Sequence, residues 1–221
     1  MILIILAGIC ISIATFAALL IAPPTVGLGN MSKLLFFHVP VAWVSVLAFI
    51  YAGIRSIIDL NKLQKGKTVD QYKAYNSAKI GIVFTILAII SGSIWAKINW
   101  NSYWNWDPRQ KTIIFILLIY VAYISLYKSI KNKNKQFRIS SVYLIIAMVS
   151  VPLFVFILPR MSHSLHPDII GKKQNYIAID YKIRLILYGS AFSYSLMFIV
   201  ILRLLDKASK VKKMLEEIYE N

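Results

Sequence analysis

The chain has 221 residues, 58% of them hydrophobic and 15% charged, and a mean hydropathy of +0.66. That excludes an ordinary water-soluble domain and makes the bilayer the expected solvent. A net charge of +16 would mean nucleic acid in a soluble protein; here the basic residues gather between apolar runs, so the expected partner is lipid headgroup and not nucleic acid.

A helix needs about 20 apolar residues to cross roughly 30 Å of hydrocarbon. Six stretches meet this requirement: 2–22, 36–58, 78–94, 112–129, 139–158 and 183–204. The first holds the single cysteine, Cys10, and ends at Pro23 and Pro24. One cysteine builds no disulfide, redox pair or thiolate metal site within the chain. The first run lacks a basic n-region and is long for a signal-peptide core, so it reads as a retained helix. Its loss would leave five spans. Gly27, Leu28 and Gly29 mark only a loop, and no GxxxxGK[ST] segment occurs, so the chain shows no means of hydrolysing ATP itself.

The second span opens at Phe36, Phe37, His38, Val39 and Pro40. A lone histidine near a helix end can be a plain interface or core residue. Heading so apolar a span, His38 is also a functional candidate. Between spans three and four lies a tryptophan-rich loop. Four of the five tryptophans (Trp95, Trp100, Trp104 and Trp106) fall within twelve residues, a density beyond the usual aromatic belt of a membrane interface. If 100–107 is helical, Trp100, Tyr103, Trp104 and Asp107 share one face and form an aromatic shelf along the membrane. Asp107 precedes Pro108, with Gln110 three residues on, which is the pattern of an N-cap with a capping-box partner. Arg109 is placed to meet a lipid phosphate or an anionic ligand.

The fifth span stops before Pro159. Arg160, Met161, Ser162, His163, Ser164, Leu165, His166 and Pro167 follow. The sixth leads into a charged tail, 206–221, expected to lie as a short helix on the cytoplasmic face. Sixteen of the 25 Lys and Arg residues fall on one side of this topology and nine on the other. The positive-inside rule then puts both termini in the cytoplasm and all three histidines outside. The predicted fold is all-α: one polytopic bundle of six transmembrane helices over 1–205, with an amphipathic tryptophan-rich segment on the outer face at about 95–111.

A planar, largely apolar macrocycle would stack on indoles. An iron at its centre would take one imidazole on each face, and carboxylates on its rim would seek Arg or Lys. Haem meets these demands together. A bare metal ion leaves the tryptophans unexplained, and a lipid leaves the histidines unexplained.

The stretch Trp100-Asn101-Ser102-Tyr103-Trp104-Asn105-Trp106-Asp107-Pro108-Arg109 resembles the WWD signature of haem-handling proteins. Phe37-His38-Val39-Pro40-Val41-Ala42-Trp43 and Leu165-His166 resemble the two histidine motifs of the CcmC family of haem exporter proteins, and span number, loop order and length agree. Asn101 stands where the signature has glycine, and Pro108-Arg109-Gln110 is closer to the CcsA cytochrome c synthetases. Those are longer and carry histidines inside the membrane, whereas no span here has one at its middle. The resemblance implies a protein that holds b-type haem transiently at the outer face of the bacterial inner membrane. It would present that haem to the chaperone CcmE, beside the ABC-transporter parts CcmA and CcmB and the small protein CcmD. It also implies His38 and His166 as axial ligands, with His163 a competing second ligand. Trp95, Trp100, Tyr103, Trp104 and Trp106 would form the shelf. Asp107 would cap helix four or hydrogen-bond a ligand imidazole, and Arg109 would pair with a propionate, with Lys97, Lys111 and Arg160 weaker candidates. The rival functions are a CcsA-like haem lyase, which would be an enzyme, and a secondary transporter of another solute. No acidic residue at mid-depth favours the transporter.

Overall fold

The computed structural model describes residues 1–24, 29–70, 72–166 and 181–219. Pro167, Gly27 and Leu28 of the sequence reading, and Lys172 and Lys173 among the nine basic residues assigned to the outer side, lie outside the described residues. Among the described residues six helices are long and apolar enough to cross a membrane, so the chain is a multi-pass, all-α membrane protein. In chain order they are α1 (Ile2–Phe16), α2 (Leu35–Gln64), α3 (Tyr72–Trp100), α4 (Pro108–Ser129), α5 (Lys133–Pro152) and α6 (Tyr181–Tyr219). A wide π turn, Ala17–Ile21, extends α1 towards Pro23, and another, Leu153–Ile157, follows Pro152 at the end of α5. Proline offers no amide hydrogen to the helix ladder, and the backbone absorbs the break by widening.

Helix α2 is the hub, packing on α3, α5 and α6, while α1 leans on α6. Helix association in lipid depends on close packing more than on exclusion of water, and small residues permit it here. Ala7, Ala14 and Ala18 are buried, and Ser193 of α6 donates to the Cys10 carbonyl at 3.1 Å. The outward surface is as apolar as the core: Ile90, Val149 and Phe192 are all exposed. In water such a surface would aggregate; in a bilayer it is the solvated face.

The central core joins α2, α3, α4 and α5 through Phe49, Ala78, Ile116, Tyr120 and Leu144. The rings of Phe49 and Tyr120 stack with centroids 3.5 Å apart. Gly81 admits that stack, since a Cβ there would collide with Phe49 Cε1. At the basic end of the bundle, Arg55 and buried Asp59 form a 2.7 Å ion pair, and Asn76 of α3 donates to Asp206 and Ser209 of α6.

Two sequence expectations change. The charged tail does not turn as a separate helix, because α6 runs unbroken from Tyr181 to Tyr219. Nor is the middle of the tryptophan-rich segment helical: α3 ends at Trp100, α4 starts at Pro108, and 101–107 between them are not helical. Asn101 and Trp106 between them have φ of 56° and 54°, a left-handed backbone that no α-helix accommodates. Asn101 occupies the position just beyond the end of α3, where a left-handed residue commonly terminates a helix. Glycine takes that conformation freely and asparagine tolerates it, which accounts for asparagine at the signature's glycine position.

Candidate functional site

One end of the bundle holds a cavity of about 290 Å³, near the lower bound for a small-molecule site. Its wall draws on α2 (Leu35, His38, Trp43), α3 (Gly92, Trp95), α4 (Arg109, Gln110), the turn after α5 (Val155, Phe156) and His166. Val46 and Ile116 reach its inner part, and both also belong to the core cluster of Phe49 and Tyr120.

His38 sits in the first turn of α2 and is half-buried against α3. Its Nδ1 lies 2.9 Å from Ser91 Oγ, and its ring rests where Gly92 has no side chain. His166 arrives on the segment after α5 and reaches the same cavity. Its Nδ1 lies 3.1 Å from Asp107 Oδ1, and its ring meets Trp100 edge-on with centroids 5.0 Å apart. Neutral imidazole has one protonated nitrogen, and a carboxylate only accepts, so the His166–Asp107 bond puts the proton on Nδ1 and leaves Nε2 bare. His163 is exposed and not part of the wall. Of the two histidines after α5, His166 is therefore the one that shares a cavity with His38.

Asp107 joins these elements. It is the N-cap of α4, accepting the Arg109 amide at 2.9 Å, with Pro108 at the first helical position. The same buried carboxylate accepts Ser164 Oγ at 2.9 Å, the Leu165 amide at 2.7 Å and His166 Nδ1. The cap and the imidazole partner anticipated for Asp107 are thus one arrangement. Gln110 does not close a capping box. It reaches further back, accepting the Asn105 amide at 2.8 Å and donating to the Tyr103 carbonyl at 3.3 Å, which folds 103–105 over the start of α4. Burial alone would push the Asp107 carboxyl pKa up. Hydrogen bonds from His166 and from the Arg109 and Leu165 amides outweigh that and hold it well below the usual carboxylate range.

A folded-state pKa held below the unfolded value stabilises the fold above the unfolded pKa, about 3.9 for aspartate, and that stabilisation is lost as pH falls through the folded value. Thermal unfolding in detergent is therefore expected to show no Asp107-dependent loss between pH 7 and about pH 5. A steep Asp107-dependent loss in that window would contradict the assignment.

The remaining aromatic residues divide. Trp95, 4% exposed, and Trp104 line the cavity, and Trp100 reaches it through His166. Trp106 is 71% exposed and stands edge-on to Trp104 at 5.8 Å. Tyr103 is also exposed and lies under the Lys97 ammonium, 5.7 Å from its ring centre. The aromatic residues therefore form a wall with an exposed rim, and not one continuous shelf. Of the basic residues proposed for a rim carboxylate, Arg109 lines the cavity. Lys97 instead binds Asn101 through its carbonyl at 3.1 Å and its side chain at 3.0 Å, and Arg160 donates to the Phe156 carbonyl. Lys111 is exposed and is not in the wall.

Sequence reasoning missed Ser91, Gly92 and Ser164. For Ser91 and Gly92 the only available signal was small residues in an apolar span, which helix packing uses everywhere, and Ser164 lies in the segment after α5 with no signal of its own. It also gave no role to Trp43, whose indole lines the cavity while Nε1 donates to Ser195 at 3.2 Å.

The donor set suits haem: two imidazoles with Nδ1 engaged by protein, indole walls and one guanidinium. The family described as Heme exporter protein C (CcmC) matches residues 1–217. The Heme exporter protein C of Bradyrhizobium diazoefficiens is 26% identical over 82% of this chain and 67% of its own length. A Marchantia polymorpha protein described as a putative cytochrome c biosynthesis ccmC-like mitochondrial protein is 25% identical over 86% and 81%. The Heme exporter protein C of Escherichia coli K12 is 29% identical over 60% and 53%. With the six membrane-spanning segments, the last ending at Glu216, inside the matched region, the chain belongs to the CcmC family of haem exporter proteins.

Proposed function

We propose that this protein binds haem in the cavity at the His38 end of the bundle and hands it on for cytochrome c maturation. His38 and His166 ligate the iron from separate elements. Trp95, Trp104 and Trp100 confine the porphyrin, Arg109 meets a propionate, and exposed Trp106 and Tyr103 form the rim towards the acceptor. The acceptor is the haem chaperone CcmE, and CcmA, CcmB and CcmD are the companions in the membrane. The positive-inside rule places the termini and the 206–219 end of α6 in the cytoplasm, and the cavity on the periplasmic side of the bacterial inner membrane. The haem is b-type cargo, held transiently, and the protein delivers it without catalysing thioether formation.

The observation that carries this reading is two imidazoles from α2 and from the segment after α5 lining one indole-walled cavity. The test is the optical spectrum of the purified, haem-loaded full-length protein. Two-imidazole ligation gives a low-spin spectrum that is lost in both His38→Ala and His166→Ala and kept in His163→Ala. A wild-type spectrum in either of the first two variants removes that histidine from the site. Covalent haem appearing in an apocytochrome supplied with this protein and no chaperone would instead make it a lyase.

A further inference from the structure

The two cavity imidazoles have different partners behind them. A carboxylate stands behind His166, whereas His38 faces Ser91 Oγ at 2.9 Å. A serine hydroxyl carries one hydrogen, and in Ser91 it is directed to the Leu87 carbonyl of its own helix at 2.8 Å, with the Ala88 carbonyl at 3.3 Å. An oxygen whose hydrogen is engaged there can only accept from the ring. If His38 Nδ1 is protonated, both hydrogen bonds exist together. If Nδ1 is bare, the hydroxyl must choose between the ring and its own helix carbonyl.

We propose that Ser91 is a positioning residue for His38: by accepting Nδ1–H it selects the tautomer and ring angle that leave Nε2 as the ligating nitrogen. This rests on the haem reading above, since Nε2 matters only if it meets the iron. Gly92 completes the seat. A Cβ at that position would lie 2.9 Å from His38 Cε1 and 3.6 Å from both ring nitrogens, so the ring occupies the space that a side chain would take. Ser91 and Gly92 sit about one turn from Trp95, so the face of α3 that walls the cavity also orients one of its ligands. The carboxylate on His166 and the hydroxyl on His38 perform the same operation, turning Nδ1 inward to the protein on opposite ligands.

The test uses full-length protein labelled with ¹⁵N at histidine, first without haem. His38 is expected to show a protonated Nδ1 and a pyridine-type Nε2. Ser91→Ala is expected to lose that signature and populate both tautomers, while Ser91→Thr, which keeps the hydroxyl on the same carbon, retains it. After haem loading, Ser91→Ala should hold haem at least about tenfold more weakly, with a reduced low-spin fraction, and Ser91→Thr should restore both. An unchanged His38 tautomer in Ser91→Ala overturns the proposal, as does a threonine variant that behaves like the alanine one. A correct tautomer without haem, combined with a haem spectrum indifferent to His38→Ala, keeps the Ser91 contact and overturns the haem assignment instead.

Discussion

Asp107→Ala is expected to unfold at a markedly lower temperature and to lose haem, whereas Asp107→Asn should fall between alanine and wild type in both stability and haem retention. Alanine removes the α4 cap, worth about 1 kcal/mol. It also strips the acceptor from Ser164, the Leu165 amide and His166; a buried donor left unmatched costs about 1–3 kcal/mol. Partial access to water lets some donors recover, so a net loss of roughly 3 kcal/mol is expected. Asparagine caps a helix as well as aspartate does. The Arg109 amide and His166 Nδ1 both meet Oδ1, so a carbonyl oxygen at that position keeps the cap and the imidazole together. The amide nitrogen then faces the Leu165 amide, which met Oδ2, donor against donor, and the neutral oxygen is a weaker acceptor for Nδ1–H than the carboxylate. Alanine removes the outer partner of the imidazole outright, a change that typically lowers metal affinity by about 10- to 100-fold. Detergent melting curves and haem titrations of the two variants separate loss of the acceptor from loss of its charge. Equal haem binding in wild type and Asp107→Ala would show that the His166–Asp107 bond does not govern ligation.

Phe49→Ala is expected to be the most destabilising single change in the core between α2, α3 and α4. The ring is 1% exposed, stacks on Tyr120 and fills the space Gly81 leaves open. In lipid the loss comes mainly from missing dispersion contacts, because the surrounding solvent is as apolar as the core. A cavity the size of a phenyl ring, at about 24 cal/mol per Å³ of residual volume, costs roughly 2–3 kcal/mol. Tyr120→Phe is the control. The Tyr120 hydroxyl is buried with no hydrogen-bond partner among the described residues, so removing it should leave stability unchanged or slightly raised. Melting temperatures of the two variants check the assignment, and a Tyr120→Phe protein as unstable as Phe49→Ala would mean the hydroxyl has a partner.

Six spans were legible in the sequence because bilayer thickness dictates how long an apolar run must be, and that demand is local. The start of α4 was legible for a similar reason: Asp107 before Pro108 serves the backbone of its own helix, whatever packs nearby. Two imidazoles and a tryptophan cluster could be placed at one end of the bundle from topology alone. Their arrangement could not. The left-handed residues Asn101 and Trp106 break the helix on which a single aromatic shelf depended, and the aromatic residues split into Trp95 and Trp104 in the wall and Trp106 outside it. Ser91 is 53 residues from His38, and Ser164 is 57 from Asp107. Only the packed bundle brings those pairs together. In a water-soluble protein, polarity marks which helix face turns inward. Here lipid-facing and core-facing residues are equally apolar, so the rotation and register of each helix, and with them the partners of His38 and His166, were decided by side-chain packing in three dimensions.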